Sequence, residues 1–321
     1  VIHPKLLGRG LFVFSDPGGA KPILSFIYLN KISDFLIISD REYDFFNYFN
    51  LKVNVFDKEK FEEIFESFKP DYIFTGTSYT SLIELLFIEE AKSRKIKSIS
   101  FIDHYTRYPD RFILNGESIY PNEIYLTDDR AMCIAVDYKL DKYAKLKVTG
   151  NFFHQFLEQW TPKTPRALII PGLIIPDDKK ILVFAPDPMS NVGGKIKFGF
   201  DETDVWAILA KALMYNFKES IIVVIKLHPN QNIRYFKNFI AKSIYPNVIY
   251  ADDTDSIELT FYADIVCGMY SSFLIESSRF NKKVLRILPN STLEDALKGM
   301  NIGLVSSDVF EVVINVKKLL L

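Results

Sequence analysis

The sequence predicts an α/β protein of two doubly wound, parallel-sheet domains facing across a cleft. Three observations carry that expectation. The chain has 321 residues, which at roughly 150 residues per domain corresponds to about two domains. Short apolar, β-rich runs alternate with longer helical patterns, the mark of parallel strands joined by crossover helices. A proline cluster interrupts this alternation near the middle, and the same alternation then restarts.

In chain order, strands are expected at 11–15, 35–39, 52–56, 71–75, 97–102, 123–127 and 145–149, with helices over 58–68 and 81–94. Phe35-Leu36-Ile37-Ile38 is continuously apolar, as suits a strand covered on both faces. Leu82, Leu85, Leu86, Ile88 and Ala91 recur at near-helical spacing. Pro162, Pro165, Pro171 and Pro176 then exclude a long helix or a central strand. The domains are therefore expected at 1–160 and 180–321, with 161–179 as a proline-rich connection. In the second domain, strands are expected at 180–185, 220–227, 248–250, 264–267, 284–287 and 303–305. Helices are expected at 203–215, 234–241, 256–261, 273–280 and 293–298.

Composition narrows the function classes. Hydrophobic residues make up 48% and charged residues 25%, which excludes extensive disorder. Lys plus Arg, 39, nearly cancels Asp plus Glu, 40, for a formal net charge of -1. A general nucleic-acid binder needs a basic excess, so no nucleic-acid polymer is expected as a partner. Cys133 and Cys267 read as buried, reduced thiols. The four histidines have no metal-ligand spacing, and no metal is expected. No apolar run reaches the length of a membrane span. The amino terminus has neither the charged start nor the apolar stretch of a signal peptide. The default expectation is a cytoplasmic enzyme.

In open parallel sheets, ligands bind beyond the carboxyl ends of the strands, and the unusual residues fall at such ends. Val223–Pro229 delivers His228 and Pro229 at the exit of a buried strand. Imidazole can donate to a phosphate oxygen, and Lys226 adds charge if it reaches the rim. The plainer reading makes His228 a strand cap and Pro229 a helix start. Some forty residues on, Gly268 allows a tight exit, and Ser271 and Ser272 open a helix whose free N–H groups suit an anion. Glu276 lies one turn further, where it could accept from a ribose diol. Ordinary N-capping explains the serines equally and is compatible with phosphate binding.

A histidine-proline exit followed by a paired-serine helix start resembles the motifs of bacterial sialyltransferases, polysialyltransferases and related Kdo transferases, which share the GT-B fold of two Rossmann-like domains. The resemblance implies that His228, Pro229, Ser271 and Ser272 hold the nucleotide of an activated sugar, with Lys226 beside them. It implies a CMP-linked nonulosonate donor, such as a sialic-acid-like sugar or Kdo, a glycan acceptor, and a role in bacterial surface polysaccharide synthesis. Glu276 looks like the ribose-binding acid of GT-B enzymes more widely. In such a protein the base would lie near residues 250–254, where Asp252-Asp253 otherwise reads as a solvated loop. The implied location is the cytoplasm, including the cytoplasmic face of the inner membrane.

The first domain is then expected to bind the acceptor. Asp16-Pro17-Gly18-Gly19 is similar to the glycine-rich first loop of GT-B enzymes, where bare backbone lets substrate approach; an ordinary turn explains it equally. Ser190, Gly193 and Gly194 offer backbone N–H groups to phosphate, or form a flexible loop. Residues 101–108 gather an acid, a histidine, two tyrosines and an arginine at one exit. A carboxylate there can deprotonate an acceptor hydroxyl, with Asp103 the first choice of base, His104 the second and Asp16 the third. The plainer alternative is that Asp103 caps a loop and Arg107 pairs with Asp110. The sialyltransferases' acidic pair followed by glycine has no match, since Asp128-Asp129 precedes Arg130, which leaves the base open. Two rivals stand beside this reading. A UDP-GlcNAc 2-epimerase-like enzyme would need several first-domain acids, for which Asp103 and Glu117 are the candidates. A non-catalytic nucleotide-sugar-binding module would bind without turnover.

Overall fold

The computed structural model describes residues 6–321 apart from Tyr79, Pro229, Asn230, Asn232, Asp252, Asp253, 290–294 and Ala296, with the backbone only of Val192, Ile233, Tyr235 and Ser272. The chain divides into two units, Val1–Gln159 and Trp160–Leu321.

The first unit is built from β1 (Gly10–Phe14), α1 (Pro17–Leu29), β2 (Phe35–Ser39), β3 (Asn54–Val55), α2 (Phe61–Phe68), β4 (Tyr72–Thr75), α3 (Ile83–Ser93), β5 (Lys97–Ile102), the hairpin β6 (Ile113–Leu114) and β7 (Glu117–Ser118), β8 (Glu123–Leu126), α4 (Asp129–Asp137), β9 (Lys145–Val148) and α5 (Phe152–Leu157). Its seven-stranded sheet runs β3-β2-β1-β4-β5-β8-β9, and every pairing is parallel. The central strands are buried along their whole length, which is why their sequences are apolar on both faces. Phe12, Phe26, Phe74, Phe101 and Phe152 fill one side of the sheet with edge-on and tilted ring contacts.

The second unit follows the same plan with β10 (Lys180–Phe184), α6 (Gly194–Phe198), α7 (Glu202–Asn216), β11 (Ile221–Ile225), α8 (Ile233–Ile240), β12 (Val248–Tyr250), α9 (Ser256–Tyr262), β13 (Ile265–Gly268), α10 (Ser272–Arg279), β14 (Lys283–Ile287), β15 (Leu304–Ser306) and α11 (Val309–Leu320). Its six strands run β12-β11-β10-β13-β14-β15, again all parallel. Asp201 starts α7 with a reciprocal capping box through Asp204. Of the helix expected at 293–298, residues 293, 294 and 296 lie outside the described residues, and Asp295, Leu297 and Lys298 are not helical, with 297–300 forming a turn.

The proline-rich stretch corrects one expectation. It is not a bare connection, because Ile169, Ile170 and Ile175 are buried in the second unit's core. Glu258 accepts from the N–H groups of Lys163 and Thr164 at 2.9 and 3.2 Å, and Tyr262 donates to the Thr164 carbonyl at 2.7 Å. The prolines block regular structure, while the isoleucines between them still dock. The cysteines also divide: Cys267 is fully buried and burial pushes its thiol pKa up, whereas Cys133 on α4 is exposed.

Both sheets reverse strand order at one place, between β1 and β4 and between β10 and β13. Crevices for ligands open at the carboxyl ends of strands at such switch points.

Candidate functional site

At the first switch point β1 delivers Ser15 and Asp16, and β4 delivers Gly76, Thr77 and Ser78. Backbones meet here because side chains are missing: a Cβ on Gly19 would lie 2.9 Å from the Gly76 Cα. Glu84, in the first turn of α3 and 2% exposed, bridges the two exits. Its carboxylate accepts from the Ser15 N–H at 3.0 Å, the Ser78 N–H at 3.3 Å and the Ser78 hydroxyl at 2.7 Å. Burial raises its pKa to about 7 against the pull of those donors. The sequence carries a signal for it, a lone acid inside Leu82-Ile83-Glu84-Leu85-Leu86.

The acids expected to act as base are each held by a partner. Asp103 pairs with Arg111 at 3.2 Å; Arg111 is 5% exposed and also donates to the Thr77 carbonyl at 2.5 Å. The other Asp103 oxygen rests against Gly18, where a Cβ would lie 2.0 Å away. The glycine-rich loop thus makes room for this carboxylate. Asp16 pairs with Arg41 at 2.6 Å and accepts from the Thr80 hydroxyl at 2.7 Å. His104 is accessible to solvent, with Nδ1 3.0 Å from the Thr106 hydroxyl; protein packed about its ring lowers its pKa against the opposing pull of Asp103. Arg107 pairs with Asp110 on the surface at 3.1 Å. Glu117 is exposed on the β6–β7 hairpin. Asp128 caps α4 and accepts from the Tyr105 hydroxyl at 2.6 Å.

At the second switch point a Cβ on Gly268 would lie 2.9 Å from the Ala185 carbonyl. Asp187, between two prolines after β10, bridges the exits: its Oδ2 accepts from the Tyr270 N–H at 2.9 Å. Burial pushes the Asp187 carboxyl above its ordinary range, opposed by the N–H groups of residues 269–271 and by the charge of neighbouring His228. His228, at the exit of β11, is exposed. Ser271 is the N-cap of α10, accepting from the Phe273 N–H at 3.1 Å, and Glu276 is half-buried on the same helix. Behind the turn, buried Arg286 donates to the Met269 carbonyl at 3.0 Å and pairs with Asp295.

Other expected groups take supporting places. Lys226 turns to the next loop and donates to the carbonyls of Ala251 at 3.1 Å and Thr254 at 2.6 Å. Ser190 gives its N–H to Glu202 at 2.9 Å and its hydroxyl to the same carboxylate. Glu202 is fully buried and also accepts from Gln231 at 2.6 Å, tying the loops after β10 and β11 together. Gly193 and Gly194 adopt positive φ where α6 begins. Pro229, Asp252 and Asp253 lie outside the described residues, as does the Ser272 side chain. Asp187, Glu202 and Arg111 escaped the sequence reading; only Asp187 has a local signal, an acid between prolines just past a buried strand.

Among the described residues no group of three or more His, Cys, Asp or Glu is placed to hold a metal ion, and no helix is long and apolar enough to cross a membrane.

The whole chain is similar to solved two-unit enzymes. UDP-GlcNAc 2-epimerase from Methanocaldococcus jannaschii is 14% identical, with 97% of this chain and 92% of that chain covered and a TM-score of 0.69. The Neisseria meningitidis UDP-GlcNAc 2-epimerase bound to UDP-GlcNAc is 17% identical over 97% and 91% of the two chains, at 0.65. The glycotransferase of kitacinnamycin is 10% identical over 98% and 91%, at 0.60. At these identities the likeness establishes the fold alone, a GT-B-like pair of Rossmann-like units. No protein-family model matches the sequence, and no curated protein matches it.

Proposed function

We propose that the chain is a metal-independent glycosyltransferase, moving a sugar from a nucleotide-activated donor to a glycan or other hydroxyl acceptor in surface polysaccharide assembly. The observation that carries this reading is the second switch point. There an accessible imidazole, His228, and the capped start of α10 flank the Asp187–Tyr270 bridge at the ends of neighbouring strands. An imidazole N–H can donate to a phosphate oxygen. Preorganised donors aimed at the departing phosphate stabilise the charge that builds on it. Ser271, Ser272 and Glu276 complete the nucleotide subsite, and Lys226 holds the carbonyls of Ala251 and Thr254 beside it.

In the first unit Asp103 takes the proton of the acceptor hydroxyl. Arg111 and the bare Gly18 hold its carboxylate in one orientation, and an oriented base is an efficient one. His104 and Asp16 serve around it, the latter fixed by Arg41. A CMP-linked nonulosonate is the donor that the sequence motifs favour.

A second reading, a UDP-GlcNAc 2-epimerase-like enzyme, is favoured by the 2-epimerases among the similar folds. Thermal-shift titration with CMP, CDP, UDP, GDP and ADP tests the nucleotide, since ligand binding raises apparent stability. Stabilisation by CMP is expected, and stabilisation by UDP alone removes the CMP donor. Incubation with UDP-GlcNAc and no acceptor separates the two reactions, because only an epimerase forms a new nucleotide sugar. Nucleotide binding without donor-dependent product across a broad acceptor panel identifies a non-catalytic module.

A further inference from the structure

The opposite end of the first sheet carries a concave surface. Lys97 opens β5 and Asp103 follows its far end, so the two places lie about 20 Å apart at roughly 3.3 Å per residue. The cavity has a volume of about 680 Å³ and is lined by Lys92, Lys95, Lys97, Tyr120, Asn122 and Tyr143, with Ile96, Ser98 and Pro121 between them.

The sequence folds this way for local reasons. Lys92 stands in the last turn of α3, and Lys95 takes a left-handed φ of 60° just beyond the helix, turning the chain into β5. The amino ends of β5, β8 and β9 are then level. The Asn122 N–H donates to Ser98 O at 3.0 Å, and the Lys145 N–H to Asn122 O at 2.9 Å.

The chemistry of the lining is one-sided. Lys92 and Lys95 have no acidic partner among the described residues. The nearby acid, Glu123, is already shared by Lys97 at 3.0 Å and Lys147 at 2.6 Å. Asn122 uses its oxygen on the N–H and hydroxyl of Ser98 at 2.7 and 3.1 Å, which leaves its NH2 as a donor. Tyr120 and Tyr143 stack with centroids 4.6 Å apart and planes 9° off parallel, and Tyr143 is 60% exposed. Such a lining asks for a ligand rich in acceptor oxygens and negative charge, with a ring to lie on an aromatic face. An isolated phosphate ion leaves most of the volume empty, and a neutral sugar leaves two ammonium groups unanswered.

We propose that this cavity binds an acidic saccharide, with its carboxylate or phosphate on Lys92 and Lys95, its hydroxyls on Asn122 and its ring against Tyr143. The proposal rests on the transferase reading only for the ligand's source, the growing glycan or a free sugar phosphate. Calorimetric titration of the full chain with a hyaluronan tetrasaccharide, glucose 6-phosphate, maltotetraose and inorganic phosphate tests it. The expected result is binding of at least one acidic sugar, more tightly than phosphate or maltotetraose. It should weaken about tenfold or more in the Lys92→Glu/Lys95→Glu variant, and several-fold in Tyr143→Ala. Tighter binding of the tetrasaccharide assigns the polymer as the source, and tighter binding of glucose 6-phosphate assigns the free sugar phosphate.

No binding of either acidic sugar by the wild type overturns the proposal. Unchanged affinity in the double lysine variant does so too, as does equal binding of inorganic phosphate or maltotetraose. The nucleotide-induced thermal shift, which tests the second unit, is the control. A preserved shift without saccharide binding sinks this site and leaves the transferase reading standing.

Discussion

The two switch points occupy the same place in the same topology, and a buried or half-buried carboxylate bridges each, yet different groups surround that bridge. At the first, Glu84 ties Ser15 to Ser78, and the outward groups are carboxylates, Asp16 and Asp103, each oriented by an arginine. At the second, Asp187 ties the β10 exit to Tyr270, and the outward groups are donors, the His228 imidazole and the start of α10. In the proposed transfer, the first would accept the acceptor's proton and the second would receive the charge of the departing phosphate. A single architecture thus carries arginine-paired carboxylates at one switch point and a histidine beside a capped helix start at the other, through a few side chains per loop.

The sharpest break in this comparison removes the base. Asp103→Asn keeps the shape against Gly18 and a hydrogen bond to Arg111, and is expected to lower donor-dependent turnover about 10²- to 10⁴-fold. Initial-rate assays should show this while the nucleotide-induced thermal shift stays at the wild-type value. His228→Ala makes the converse cut. It should reduce turnover about 100- to 1,000-fold and shrink the nucleotide shift, with little change in the melting temperature of the free protein. An active, fully folded His228→Ala enzyme would falsify the phosphate assignment.

A subtler change moves the base without removing it. Gly18→Ala places a methyl group 2.0 Å from an Asp103 oxygen, so the carboxylate must shift. A displacement of that order costs up to about 100-fold in rate, while Gly19→Ala, blocked by backbone, should lower stability more. The smallest effect concerns pH. Glu84 rises from an ordinary 4.5 to about 7 in the fold, so the folded state binds the extra proton. Its contribution to stability is full below pH 4.5 and is lost as pH rises through 7. Glu84→Gln should therefore flatten the decline in melting temperature between pH 5 and 8, and raise it most at the alkaline end. An unaltered pH profile for this variant removes Glu84 from the account.

Much of this fold was legible from local pattern. Strands 35–39, 97–102 and 248–250 have the expected bounds, since short runs rich in β-branched and aromatic residues, flanked by turn and helix residues, leave little freedom. Helix α11 is not legible in the same way. Its Val312-Val313-Ile314-Asn315-Val316 run suits a strand as well, and it becomes a helix by packing Val312 and Val316 into the core. The site divides likewise. The exits carrying His228, Ser271 and Asp103 follow from the alternation of strands and helices. Their partners do not, because Ser15 and Glu84 are 69 residues apart and Asp187 and Tyr270 are 83 apart. No spacing rule spans such distances.

The two thiols have a practical consequence. Cys133 lies open on α4, while Cys267 is sealed within β13, directly beneath the Gly268 turn. A maleimide dye at neutral pH will therefore label the native protein at one address, with no mutagenesis. Slow modification of Cys267 becomes a clock for transient opening of the second sheet, and nucleotide bound at its edge should make that clock run more slowly.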